Sequence, residues 1–366
     1  RAFYLSNDAG NSWQQFQLNL PIVPVTDLMI RDNDLVASTA GRAFWILDDL
    51  SAIQQSAAIL KEASLQIFQP KASYKYGAGN GLPESNYSAG QNAPEGVILD
   101  YVLPGIDEKD TVSLSIVDAN GKTVRTYINH ADESYSKYPG GPAPKEVLST
   151  EKGHNRFLWD FRTETVTPDV KGVYIFGDYR GYAVAPGNYT AKLTHHKTVK
   201  EVAFKVLPNP GITASEADWK EQQGILENIS TSISEIHQSV IDLRKVKQQL
   251  QHHATVYKDN KQADTVVSKA KALVKTMDEW ESNIVESRIK NGQDVINWPS
   301  KINAEFFNIK GVADAPNPKI TSGLKARLAD LQKEWTAEKE KLQGIKQSIK
   351  EYNQLYQSKQ LDAIQL

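Results

Sequence analysis

Apolar and polar positions alternate over the first fifty residues and again between 97 and 206, and beyond Pro210 they shift to steps of three and four. Strict alternation puts successive side chains on opposite faces of a strand. The opening stretch therefore predicts strands over Ala2 to Leu5, Trp13 to Gln17, Thr26 to Ile30, Asp34 to Ser38 and Ala43 to Leu47. A helix-like piece, Ser51 to Lys61, follows, and then a stretch rich in Gly, Ser, Asn, Pro and Tyr from Lys71 to Pro94 that reads as a connector. Its aromatics, Tyr74, Tyr76 and Tyr87, are expected to rest on neighbouring surfaces. Strand signals resume over Val97 to Leu103, Val112 to Val117, Thr123 to Tyr127, Arg156 to Phe161, Tyr189 to Leu193 and Val199 to Val206, with Asn120-Gly121 as a hairpin turn. Short antiparallel strands at this density suit an immunoglobulin-like or fibronectin-like sandwich, with Asn129 to Thr150 as a long loop at one end.

After Pro208-Asn209-Pro210 helix formers dominate. Leu226, Ile229, Ile233, Ile236, Val240, Leu243 and Leu250 line one helix face; Val266, Ala270, Leu273, Met277, Trp280 and Ile284 line a second; Leu324, Leu328, Leu331, Trp335, Leu342, Ile345, Ile349 and Tyr352 line a third. Three such faces predict an antiparallel helical bundle that packs within the chain. Asn291 to Thr321, with Pro299, Pro316 and Pro318, is expected to be a long ordered loop between the second and third helices.

Ser6, Asp8, Gly10 and Trp13 spell S-x-D-x-G-x-x-W, the Asp-box pattern. In such a hairpin loop the Asp caps backbone N–H groups, the Gly permits positive φ, and the Trp fills space between neighbouring strands. It is a structural staple rather than a catalytic centre. The box resembles those of sialidase-like and sortilin-like β-propellers. Gly41-Arg42-Ala43-Phe44-Trp45-Ile46-Leu47-Asp48-Asp49 is similar to the closing blade of bacterial Asp-box (BNR-type) propeller proteins of the glycosyl hydrolase-like and sortilin-like family, with Ala40 where that family usually carries His. Gly121 to Thr126, Asn155 to Asp160 and Pro186 to Tyr189 resemble the immunoglobulin-like module that follows the propeller there. Lys301 to Asp314 with Pro316 resembles the loop in the family's terminal helices.

The resemblance implies a multidomain chain, β then α. Residues 1–50 form the last blade or two of a partial propeller, 51–94 a connector, 95–208 the β-sandwich and 209–366 the helical bundle of about three long helices. A lone blade leaves sheet edges and a face uncovered, so the expected partners are the remaining blades of a longer parent. The resemblance also implies a bacterial exported location, periplasmic or cell-surface, with any export signal upstream of Arg1.

Composition narrows the classes. With 42 basic against 44 acidic residues and a net charge of -2, the chain has no excess of positive charge with which to track phosphates or an anionic membrane, so nucleic acid is not an expected partner. No apolar run approaches the roughly 18 residues needed to span a bilayer. Zero cysteines exclude disulfides and thiolate metal sites.

Each candidate for chemistry has a plainer role beside it. Asp48 and Asp49 stand at a strand end, but adjacent strand residues point to opposite faces, which opposes a glycosidase carboxylate pair and favours turn capping or blade packing. Arg42 could meet an acidic sugar, yet recognition of that kind needs an Arg cluster, and a local salt bridge or stacking role is favoured. His195-His196 and His252-His253 diverge on a strand or splay on a helix, so no metal site is expected from either. Ser-His-Asp and phosphate-loop signatures are absent from the sequence, and no cofactor is expected. Tyr174, Phe176, Tyr179 and Tyr182 form an aromatic row that could stack on a glycan or a protein partner, against the simpler reading that they seal a domain seam. The favoured function is a non-catalytic region bracing a propeller. The alternatives are an accessory part of a glycoside hydrolase with an upstream active site, and a sortilin-like peptide-binding protein.

Overall fold

A computed structural model describes residues 3–59, 64–77, 94–165 and 167–361; Ala2, Lys61 and Tyr87 of the expected elements lie outside them. The chain divides into two compact units, one of residues 1–132, 145–163 and 183–212, the other of 133–144, 164–182 and 213–366. The division is not sequential, as the expected boundary near 208 would have it. The excursion at 164–182 carries Val170, Val173, Ile175 and Tyr179, which are buried in the helical core, so apolar burial assigns it there.

The first unit opens with a hairpin of β1 (Tyr4–Leu5) and β2 (Gln14–Gln15). Strands β3 (Val25–Arg31), β4 (Asp34–Thr39) and β5 (Phe44–Leu47) form a separate antiparallel sheet in that order. Helix α1 (Ser51–Ile59) leads to β6 (Gln66–Ile67), β7 (Ser73–Lys75), β8 (Val97–Leu103), β9 (Val112–Asp118), β10 (Thr123–Ile128), β11 (Gly153–Trp159), β12 (Gly187–His195) and β13 (Thr198–Pro208). These last eight strands make a five-stranded sheet, β10-β9-β12-β13-β7, and a three-stranded sheet, β11-β8-β6. Both sheets send side chains into one core, among them Leu99, Tyr101, Leu114, Ile116, Leu193 and Trp159. The stretch expected to be only a connector contributes β7, which pairs in parallel with β13 and gives that edge a partner. A segment rich in turn residues hid a strand because three residues carry too little alternation to signal one.

In the second unit, α2 (Glu216–Val256), α3 (Asp264–Ile284), α4 (Ile302–Ala313) and α5 (Ser322–Ser358) share one core. A capping box starts α2, with Ser215 Oγ accepting from Asp218 N at 3.2 Å and Asp218 Oδ2 accepting from Ser215 N at 2.8 Å. Cross-helix contacts fix the directions. Lys325 reaches Glu221 at 2.5 Å and Tyr352 reaches His253 at 3.0 Å, so α2 and α5 rise together, while Lys269–Glu351 at 3.5 Å and Trp280 Nε1 on the Glu338 carbonyl at 3.1 Å run α3 against α5. The helix faces expected from spacing are the buried ones, with Ile349 only partly covered. The expected loop at 291–321 is corrected: it holds α4, whose Ile302, Phe306, Phe307 and Ile309 are buried. Its prolines flank the helix instead of interrupting it, which is why they misled.

Candidate functional site

The loop from Ser6 to Trp13 is closed by its own side chains. Asp8 Oδ1 accepts from Ser12 N at 2.8 Å and from Ser6 Oγ at 2.9 Å, and Ser6 Oγ accepts from Gly10 N at 2.7 Å. Gly10 sits at φ +89°, a left-handed conformation that a side chain would resist. The Ser12 hydroxyl, followed by its backbone N–H, holds the Asp8 carboxyl below the usual carboxylate range. Trp13 donates through Nε1 to the Gly10 carbonyl at 3.1 Å but remains 63% exposed, so among the described residues it fills no interstrand space.

Register then determines which apolar residues of the β3–β5 sheet act together. Met29 pairs with Val36 and Val36 with Ile46; Asp27 pairs with Ser38 and Ser38 with Phe44. Directly paired residues share a face, so Met29, Val36, Ile46 and Phe44 lie on one face, with Asp27 and Ser38 beside Phe44. Met29 and Ile46 are each 61% exposed and Phe44 is 74% exposed, so this face carries almost no cover. The opposite face is partly furnished: Leu35, Ala37, Trp45 and Leu47 line a hollow together with Phe3, Phe16 and Leu20. Among the described residues, strands β3 and β5 are the two edges of this sheet, and both of its faces carry exposed apolar side chains.

The aromatic row does not stay together. Tyr179 is 6% exposed, packed against Phe307 at 5.0 Å and His237 at 6.1 Å between ring centroids, and Tyr182 packs on the same helical core. Burial pushes the Tyr182 hydroxyl up to about 12. Tyr174 is half-buried against Gly140, where an added Cβ would fall 2.6 Å from the ring, and only Phe176, 70% exposed, keeps a free face. Of the four rings, Tyr179 and Tyr182 pack on the helical core, Tyr174 rests on Gly140, and Phe176 is the exposed one. Lys310 of α4 holds the segment by donating Nζ to the carbonyls of Asp178, at 3.0 Å, and Arg180.

Arg42 lends its carbonyl to Trp45 Nε1 at 3.0 Å, and its exposed side chain makes no ion pair among the described residues, so the expected salt bridge is not formed there. Asp49 takes the capping role, its Oδ1 accepting from Ser51 N at 3.0 Å at the start of α1. Asp48 is raised by partial burial and then by the nearby Asp34.

The histidine pairs behave differently from each other. His253 is absorbed into packing, bonded to the Tyr352 hydroxyl at 3.0 Å and stacked on Tyr356 at 4.8 Å. His195 and His196 do not diverge: their ring centroids lie 4.1 Å apart, and both rings reach Asp110. Strand divergence applies only while both residues are extended, and His196 has left the strand at φ 51°. The one signal in sequence was a short turn, His196-Lys197, between two strong strand patterns. No helix among the described residues is long and apolar enough to cross a membrane. No family model, curated protein or solved structure matches this chain.

Proposed function

We propose that this chain is a non-catalytic region of a larger exported Asp-box propeller protein, in which residues 3–50 supply sheet to the propeller and the remainder braces it or mediates assembly. The observation that carries the reading is the bare face of Met29, Val36, Ile46 and Phe44, backed by the self-capped Ser6–Trp13 loop. Apolar surface of this kind is costly in water and favourable against another sheet about 10 Å away. The occupant we assign to it is the adjoining blade of the parent. A photo-crosslinker placed at Phe44 in the native source should capture sequence from the same polypeptide, in a species larger than 40.8 kDa. A monomer of that mass alone, with no crosslink, would reject the proposal.

The eight strands β6 to β13 we read as an immunoglobulin-like module. What supports this is the order β11-β8-β6 beside β10-β9-β12-β13-β7, in which the first strand pair is shared between the sheets. Tyr189 adds to it, donating its hydroxyl back to the Ala185 carbonyl at 2.6 Å near the start of the penultimate strand, in the manner of a tyrosine corner.

A second reading, an accessory glycan-binding part of a glycoside hydrolase, is favoured by one observation, the exposed Phe176 ring beside half-buried Tyr174. Glycan retention lost in Phe176→Ala, with the fold unchanged, supports it; retention of no glycan by the intact chain rejects it.

A further inference from the structure

We infer that His195, His196 and Asp110 form a binding site for a divalent transition-metal cation of the zinc class, at one end of the five-stranded sheet. The register builds the site. His195 on β12 pairs with Val112 on β9, and because the strands are antiparallel, moving back two residues to Asp110 runs alongside moving forward through His196 into the β12–β13 turn. The left-handed backbone of His196 then swings its ring to the same side as that of His195.

Both imidazoles present Nε2 to a single carboxylate oxygen, Asp110 Oδ2, at 3.1 Å from His195 and 3.3 Å from His196, and the three donor atoms all lie within 4.8 Å of one another. Bonds of about 2.0–2.1 Å to a tetrahedral zinc separate neighbouring ligand atoms by about 3.3 Å, so two edges of a ligand triangle already stand at coordination spacing. The third edge, between the two imidazoles, lies within 4.8 Å, on the side of the exposed His196 ring. A cation would take all three of these ligand atoms at once.

Asp107 N donates to Asp110 Oδ2 at 3.3 Å, and the main chain of Asp110 is fixed on both sides. Asn129 Nδ2 donates to the Asp110 carbonyl at 2.9 Å while Asn129 Oδ1 accepts from Val112 N at 2.8 Å, and Asp110 N donates to the Asp107 carbonyl at 2.9 Å. Two nitrogen donors with one oxygen disfavour calcium and magnesium, which seek oxygen shells, and suit zinc, nickel, cobalt or copper. His196 is 64% exposed in its side chain, so the site opens to solvent and leaves a fourth position for water or a ligand from a partner.

The test is calorimetric titration of zinc chloride into the untagged chain, repeated with cobalt chloride to read the visible spectrum of the bound ion. One equivalent is expected to bind, with His196→Ala and Asp110→Asn each weakening it more than about tenfold, since even outer-shell changes commonly cost that much. Thermal melts of each variant confirm that the fold is kept, and the double variant His252→Ala/His253→Ala is expected to bind as the intact chain does. Absence of saturable binding, binding indifferent to His196→Ala and Asp110→Asn, or binding lost with His252 and His253 would each overturn the assignment.

Discussion

Replacing Phe44 and Ile46 with Thr together is the most direct probe of the bare sheet face. Full burial of a large apolar side chain is worth about 1.5–3 kcal/mol. Phe44 retains 74% of its exposure and Ile46 retains 61%, so the folded chain covers about a quarter of the first and about two fifths of the second. Each should therefore contribute under about 1 kcal/mol, and Thr keeps the β-branched preference of a strand so that propensity does not confuse the reading. Urea unfolding of the isolated chain should shift by less than about 2 kcal/mol for the pair, while Leu99→Ala, at a fully buried position, should cost about 2–5 kcal/mol. Binding of a hydrophobic dye and any concentration-dependent association should fall in the double variant, since the surface that drives both has been made polar. A cost of 5 kcal/mol or more for the pair in dilute solution, on the scale of about 3–5 kcal/mol for a core Phe alone, would show that the face is covered within this chain and would remove the basis for an absent neighbour.

Three further outcomes follow from other parts of the molecule. Phe306→Ala should destabilise the helical unit by about 3–5 kcal/mol, whereas Ile296→Ala, at a position 78% exposed, should change it by no more than about 0.5 kcal/mol; equal small effects would return 302–313 to a loop. His237 is fully buried with Nδ1 on the Pro168 carbonyl at 2.8 Å, and burial lowers its pKa below the usual 6.5. The unfolded chain therefore takes up the proton first, so stability present above about pH 6.5 should decline as pH falls, and His237→Phe should flatten that decline in melts across the range. Asp8→Ala should speed amide hydrogen exchange at Ser12 and leave the melting temperature unchanged; unaltered exchange would mean that Asp8 does not cap the loop.

The helical faces were legible because a helix repeats its environment every turn, and a run of six or more spaced apolar residues such as Val266 to Ile284 needs no partner to be recognised. Strands β3 to β5 and β8 to β13 were legible for the same reason at a period of two, within a residue or three at their ends. What escaped were features with short local signals and distant causes: the three-residue β7, made a strand by the edge of β13, and α4, framed by prolines. Of the candidate site residues, the Ser6–Trp13 loop was readable because all its bonds span four residues or fewer. The partners of Tyr179 were not, since Phe307 and His237 lie far along the sequence.

The sequence by itself determined the long helices, the strands β3 to β5 and β8 to β13, the helix faces that are buried and the capping of the first loop, because these depend on periodicity and on contacts between near neighbours. Tertiary structure alone decided that 164–182 joins the helices, that Met29, Ile46 and Phe44 stand uncovered together, and that two histidines converge on Asp110. Each of those outcomes rests on register or burial between segments remote in the chain, and no local pattern encodes which of several apolar surfaces will find a partner.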